Sequence, residues 1–236
     1  MKYNIITTQL QIYESFLKTG LIARGLDKKI IEIKLFNLHD FALNRHRSID
    51  DNPYGGGAGM ILRVDVMDRA IEKLKTQNSK LKTILLTPQG NIFKQKDAQR
   101  LAKQKELILI AGRFEGYDER IRDLADEEIS IGDYILTNGD LAAMVLIDAI
   151  SRQIPSFIEK SESIKNESFN PITLNAKRST LLEYPQYTRP FDYRDKQVPE
   201  ILLSGDHQKI KTWREKQAIQ RTQKRRPDLT ETEKTV

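Results

Sequence analysis

Four glycines fall within "DDNPYGGGAGM" (residues 50–60), at positions 55, 56, 57 and 59, out of twelve in the 236-residue chain. Such a run removes Cβ atoms and admits positive φ, so it makes either a tight turn or a backbone surface against which a ligand can lie. It lacks the Gly-Lys-Ser/Thr ending of a phosphate-binding P-loop, which weighs against a nucleotide-phosphate cradle. Three more loops combine glycine with polar residues: "TPQGN" from Thr87, "GRFEGYDER" from Gly112 and "IGDYILTNGD" from Ile131. Residues 208 to 226 offer a different chemistry. There Lys209, Lys211, Arg214, Lys216, Arg221, Lys224, Arg225 and Arg226 stand against Glu215 alone. A basic stripe of this kind attracts phosphate backbones through counterion release; its bland alternative is a solvated helix face.

Something must hold these loops together. "YNIITT", "KIIEIKLF", "LKTILLT" and "LILIAG" read as strands from their apolar and β-branched runs. Between them, "QIYESFLKTGLIARG" reads as a helix with Ile12, Phe16 and Leu17 on one side. "DVMDRAIEKLK" is amphipathic through Val66, Met67, Ala70, Ile71 and Leu74, and "DAQRLAKQ" precedes the last of the strands. Strands alternating with helices predict an α/β domain with a mostly parallel sheet. Ligands of such sheets bind beyond the carboxyl ends of the strands, which is where the three glycine-bearing loops fall. After them "LAAMVLIDAI" is apolar nearly all round and predicts a helix buried in a core or a subunit interface. Residues 160–180 are polar, lack periodicity and contain Asn-Pro, so they read as a linker or mobile loop. "HQKIKTWREKQAIQRTQKRR" predicts a helix with Ile210, Trp213, Gln217 and Ile219 near one side, carrying the basic stripe.

Composition excludes several classes. No run of about 18 apolar residues is present to span a membrane. The start, "MKYNIITTQLQ", has neither the apolar core nor the cleavage site of a secretory signal. Cysteine is absent, which removes disulfides and thiolate metal sites and is compatible with the cytoplasm. His39, His46 and His207 are too few and too scattered for a zinc centre, so no metal site is assigned. The net charge of +6 is carried largely by the stripe.

Several stretches together resemble one family. "DDNPYGGGAGM", "TPQG", "AGRFEGYDER", "SIGDYILTNGDLAAMVLIDAISRQIP", "LLEYPQYTRP" and "VPEILLSGDHQKIKTWREKQAIQRTQKRRPDL" are similar, in this order, to the bacterial tRNA (guanine-N1)-methyltransferases that modify guanosine 37 beside the anticodon. The resemblance runs from about Asp40 to Leu229 and is weaker before. It implies a SPOUT-type α/β fold: a parallel sheet with a C-terminal trefoil knot, plus a small helical C-terminal domain. General topology rules would have argued against a knot. The implied domains are a knotted cofactor-binding catalytic domain at 1–160, a flexible linker at 161–180 and a helical tRNA-binding domain at 181–236. Also implied are a cytoplasmic homodimer with its active site at the subunit interface, and the tRNA anticodon stem-loop as substrate.

By the same resemblance S-adenosylmethionine would lie in the knot loops. The matching positions are Leu86, Pro88, Gly112, Glu115, the run Ile131, Gly132, Asp133, Tyr134, Ile135 and Leu136, then Gly139 and Leu141. Asp50, Gly55 and Gly59 match positions where substrate nucleotides approach, and flat bases against backbone suit a loop without side chains. Tyr54 can stack on a base or pack within the loop. Guanine N1 carries a proton at neutral pH, so a carboxylate must remove it as the methyl is attacked, and an arginine can stabilise the charge that spreads to O6. Arg152, in "SRQIP", matches the family's arginine. The family's base is an aspartate in an Asp-Ser-Phe stretch; here the residues are Glu167-Ser168-Phe169, with Glu162 as a weaker substitute. Other departures are Phe114 for a common tyrosine, Asn138 for glycine and Asp140 for glutamate. Related enzymes are described as Mg2+-dependent, yet the sequence offers no ligand cluster. The rival readings are a non-catalytic RNA-binding module with a degenerate knot and a nucleotide-phosphate enzyme.

Overall fold

The computed structural model describes residues 1–76, 79–159, 167–169, 171–174 and 177–230. It forms two compact units, Met1–Glu159 and Lys160–Val236.

The first unit is built on a five-stranded parallel sheet in the order β2-β1-β6-β5-β7, with β1 Lys2–Thr7, β2 Glu32–Asn37, β5 Lys82–Ile92, β6 Glu106–Ala111 and β7 Glu127–Ser130. A short antiparallel pair, β3 Asp50–Asp51 with β4 Ile61–Leu62, brackets the glycine loop. The central strands are continuous apolar runs because both faces are covered, the usual state of a parallel sheet. Alternation along each strand sorts residues to two cores. Tyr3, Ile5, Ile84, Leu86, Leu107, Leu109 and Ala111 join one, with α5 (Asp140–Ser151) packed on it. Ile6, Leu85, Ile108 and Ile110 join the other, with α3 (Val64–Lys75).

The alternation of strands and helices expected from the sequence is present, with three differences. The helix expected over "QIYESFLKTGLIARG" is broken into a 3-10 turn at Leu10–Tyr13, α1 Glu14–Lys18 and α2 Gly20–Asp27, because Thr19 is extended and Gly20 sits at φ +64°. Strand β7 gives little apolar signal because it begins with Glu127 and Glu128. These are held by Lys82 and Arg100, and by Arg122, respectively. Helix α5 buries Ala142, Ala143, Leu146, Ile147 and Ile150 but leaves Leu141 and Val145 44% and 47% exposed, so only one of its apolar faces is covered within the chain. The remaining helix of this unit, α4, spans Gln95–Leu101.

In the second unit, part of the stretch read as a linker forms a hairpin, β8 Pro171–Leu174 with β9 Lys177–Thr180. Residues 160–166, 170, 175 and 176 lie outside the described residues, Glu162 among them. A second hairpin pairs β10 Asp192–Tyr193 with β11 Lys196–Gln197. The expected basic helix is α6, His207–Arg225, capped by the Asp206 carboxylate, which accepts from the N–H groups of Gln208 and Lys209. Its covered seam runs through Ile210, Trp213, Gln217, Ala218 and Thr222, while all the basic side chains of the stripe except Arg221 are exposed.

Candidate active site

The three glycine-bearing loops leave the carboxyl ends of adjacent strands and close around one cleft of about 640 Å³. The first is a detour within β5. The strand pairs with Ile129 through Leu86, leaves at Thr87, and pairs with Ile129 again through Asn91. Gly90 makes the return feasible, since a Cβ there would lie 2.5 Å from the backbone of Glu128 and Ile129. Arg122 braces this detour by hydrogen-bonding Gln89 while pairing with Glu128 and Glu119. In the second loop Tyr117 folds back and donates its hydroxyl to Leu86 O at 3.0 Å, its ring lying where a Cβ on Gly112 would be. Burial pushes the Tyr117 hydroxyl pKa up, so it stays a donor. The third loop is fastened to the second where Gly139 N–H donates to Gly112 O at 2.7 Å. An added Cβ on Gly139 would stand 2.9 Å from Gly112 N and 3.1 Å from Ala111 Cα, so these two backbones touch.

Ten of the twelve positions expected to hold S-adenosylmethionine line this cleft: Leu86, Pro88, Gly112, Glu115, Ile131, Gly132, Tyr134, Ile135, Leu136 and Gly139. Asp133 and Leu141 are not on its wall; both are exposed. Sequence reasoning missed Gln89, Arg113, Tyr117, Asn138 and Ala142, which also line it. For Ala142 the signal was available: it lies in the first turn of α5, two residues after the helix begins at Asp140.

The glycine loop adjoins the cleft at Glu115. Glu115 N–H donates to Met60 O at 3.1 Å and Leu62 N–H to Gly116 O at 3.0 Å, stitching β4 to the second loop. Gly59, at φ +76°, lies under Glu115: a Cβ would meet Glu115 Cγ at 2.4 Å. Gly55 and Gly56 also have positive φ, but among the described residues no atom beyond their chain neighbours lies within 4 Å of an added Cβ. Within the chain, therefore, those two glycines answer a conformational demand, and Gly59 a steric one as well. Tyr54 is wholly exposed and does not pack within the loop. Asp50 is half-buried on β3, paired in register with Leu62. Arg152 follows α5 as its C-cap, in the first unit, and Glu167 lies in the second. Among the described residues no three His, Asp or Glu side chains gather into a metal site.

Behind the third loop lies a buried carboxylate that the sequence reading noted only as a departure. Asp140, 1% exposed, accepts from Thr7 Oγ1 at 2.6 Å and Tyr13 Oη at 2.8 Å, both through Oδ1. Asn138 Oδ1 in turn accepts from Asp140 N–H. Burial pushes the Asp140 carboxyl up, against the lowering effect of these hydrogen bonds and of Arg113. With its folded pKa raised, the group stabilises the fold fully below the unfolded carboxylate pKa, and that contribution is lost as pH rises through the folded value. Wild type is thus expected to lose stability relative to Asp140→Asn as pH climbs from about 4, the usual carboxylate value, through the raised folded value to neutrality. Asp140→Ala, which strands two buried hydroxyl donors, is expected to lose roughly 2–4 kcal/mol at neutral pH. Urea unfolding of the three proteins across that range checks both.

The model of the family described as tRNA (Guanine-1)-methyltransferase TrmD matches residues 1–232. The chain is 46% identical over 230 residues to the tRNA (guanine-N(1)-)-methyltransferase of Geotalea uraniireducens, covering 97% of this chain and 90% of that one. It is 45% identical to the protein of the same name from Mycoplasmopsis synoviae, over 98% of this chain and 97% of its relative. The Thermotoga maritima protein is 43% identical over 97% and 90%. A parallel sheet with its special loops gathered at the carboxyl ends of the strands, and likeness along nearly the whole chain, have one meaning: the protein belongs to the bacterial tRNA (guanine-N1)-methyltransferases of the SPOUT superfamily, enzymes that methylate N1 of guanine in tRNA with S-adenosylmethionine as donor.

Proposed function

We propose that this enzyme methylates N1 of guanosine 37, beside the anticodon, by carboxylate-assisted removal of the N1 proton. The observation that carries the reading is the convergence of three strand-end loops on one cleft. Its volume falls in the range of small-molecule sites, with apolar walls from Leu86, Ile129 and Ala142 and polar groups from Gln89, Glu115 and Asn138. These features fit S-adenosylmethionine, which when bound supplies a methyl group on a positively charged sulfur. The chain's own work is on the guanine. Asp50, Gly55 and Gly59 admit and orient the substrate nucleotides, Glu167 accepts the N1 proton, and Arg152 stabilises the charge that moves to O6 without giving up its own proton. Alignment of the acceptor atom with the methyl group supplies the remainder, and no covalent enzyme intermediate is required.

In this reading residues 1–160 form the knotted catalytic domain, 161–180 the linker and 181–236 the helical tRNA-binding domain. Backbone contact between the loops at Gly139 and Gly112, and between Gly90 and β7, supports a threaded path. The exposed pair Leu141 and Val145, one turn apart on α5, supports a homodimer with the active site at its interface. The site of action is the cytoplasm, and no described helix is long and apolar enough to cross a membrane. A Mg2+ requirement is carried without assigned ligands.

Transfer of labelled methyl to unmodified tRNA transcripts bearing guanosine or adenosine at position 37 tests the reading. Label on the guanosine transcript alone is expected; label on both would move the target base, and tRNA binding without label would leave an RNA-binding module. The exposed basic face of α6 further predicts that tRNA affinity falls at least tenfold between about 50 and 200 mM salt. A flat titration would remove residues 208–226 from the interface.

A further inference from the structure

A second cleft, of about 520 Å³, lies wholly within the second unit. Its walls come from the segment Tyr184–Phe191, from Val198, from Leu202 and Leu203 of the 3-10 turn Glu200–Leu203, and from Arg214 of α6. The fold builds it with backbone restraints. Val198 N–H donates to Phe191 O at 3.0 Å, extending the β10–β11 hairpin by one pair and fixing these two wall residues side by side, and Arg214 lies 4.8 Å from the centre of the Tyr184 ring. Tyr187 and Phe191 are half-exposed, at 49% and 45%. Among the described residues no acid lines the cleft, while Arg189 and Arg214 do.

We propose that this cleft takes an unstacked nucleobase of the tRNA substrate, a base other than the one methylated. The inference rests on the tRNA-binding reading of the second unit. Aromatic faces beside a guanidinium plane are the surface on which single-stranded bases stack, and every base has such a face to offer. Charge complementarity selects RNA over an apolar peptide. The cleft opens beside a helix whose basic side chains are exposed, so a strand held by its phosphates along α6 would bring bases to Tyr187 and Phe191. Tyr184, pinned under Arg214, is part of the wall; Tyr187 and Phe191 are the stacking surfaces.

The test uses the full-length protein with two probes, an unmodified tRNA transcript and a single-stranded hexaribonucleotide carrying 2-aminopurine, whose fluorescence is quenched on stacking. Tyr187→Ala and Phe191→Ala are each expected to weaken tRNA binding by about five- to a hundredfold, with Tyr187→Phe within about twofold of wild type. The slope of log affinity against log salt is expected to stay unchanged, since a stacked base neutralises no phosphate. Wild type is expected to quench the hexanucleotide and Tyr187→Ala to fail. Unchanged affinity in both alanine variants overturns the proposal. So does a loss accompanied by a slope shallower by about one, which would mark a phosphate site, or a loss that Tyr187→Phe does not restore. Because quenching needs no methyl transfer, a wild type that quenches but methylates no tRNA sinks the proposed function and leaves the cleft standing. One that methylates without quenching, and whose alanine variants bind normally, does the reverse.

Discussion

Glu167→Gln is expected to lower kcat for methyl transfer by roughly 10²- to 10⁴-fold, the share a positioned proton acceptor contributes. Glutamine keeps the shape and the hydrogen-bonding reach of glutamate but cannot take the N1 proton, so KM for tRNA and donor should move little. The segment is restrained on the far side of Glu167. Ser168 Oγ accepts from Glu183 N–H at 3.0 Å, Phe169 N–H donates to Leu181 O at 3.0 Å, and the Arg226 guanidinium lies 5.9 Å from the Phe169 ring centre. A carboxylate anchored one residue away keeps a defined reach, and the extra methylene of glutamate then adjusts within it. Glu167→Asp, which installs the family's residue, is expected to retain most activity. Glu162→Gln is the control: full loss there with normal rates in Glu167→Gln would reassign the base.

Arg152→Ala follows with an expected fall of about 10²- to 10³-fold in single-turnover rate at saturating donor, the usual effect of removing one group that stabilises developing negative charge. Arg152 caps α5, its N–H donating to Asp148 O at 3.1 Å, so it stands at the end of a helix packed on the sheet. Arg152→Lys should recover part of the rate. It restores the charge but not the planar fork that can meet O6 along two directions. Equal rates in Arg152→Ala and wild type would move charge stabilisation to another donor.

How much of this was legible in the sequence depended on range. Strand and helix identities came from local periodicity, and the loops at strand ends followed from the parallel sheet they imply. The long helix expected after β1 failed at Gly20, where one residue's conformation overrode an apolar pattern. β7 was hidden because two acids open it; Glu127 is held by Lys82 and Arg100 from distant parts of the chain, and Glu128 by Arg122, six residues before it. Distance in sequence also hid the Thr7–Tyr13–Asp140 cluster, whose aspartate lies more than 120 positions from either hydroxyl. Composition marked Gly90 and Gly139 as glycines but could not mark what they pass. The roles proposed for Arg152 and Glu167 came from family resemblance alone, since nothing in their local pattern distinguishes them from surface residues. The second cleft escaped because Tyr184–Phe191 has no period to read.

The contact between Gly59 and Glu115 has a thermodynamic consequence. One carboxylate-bearing side chain is at once a wall of the cleft proposed for the donor and the neighbour of the loop proposed for the nucleotides. A donor that shifts Glu115 alters the space beside Gly59, and an RNA pressing on that loop alters the cleft. Whatever factor the first ligand imposes on the affinity of the second, the second must return in equal measure to the first. Order of addition cannot change that factor, which is fixed by the free energies of the ligation states and not by the path between them.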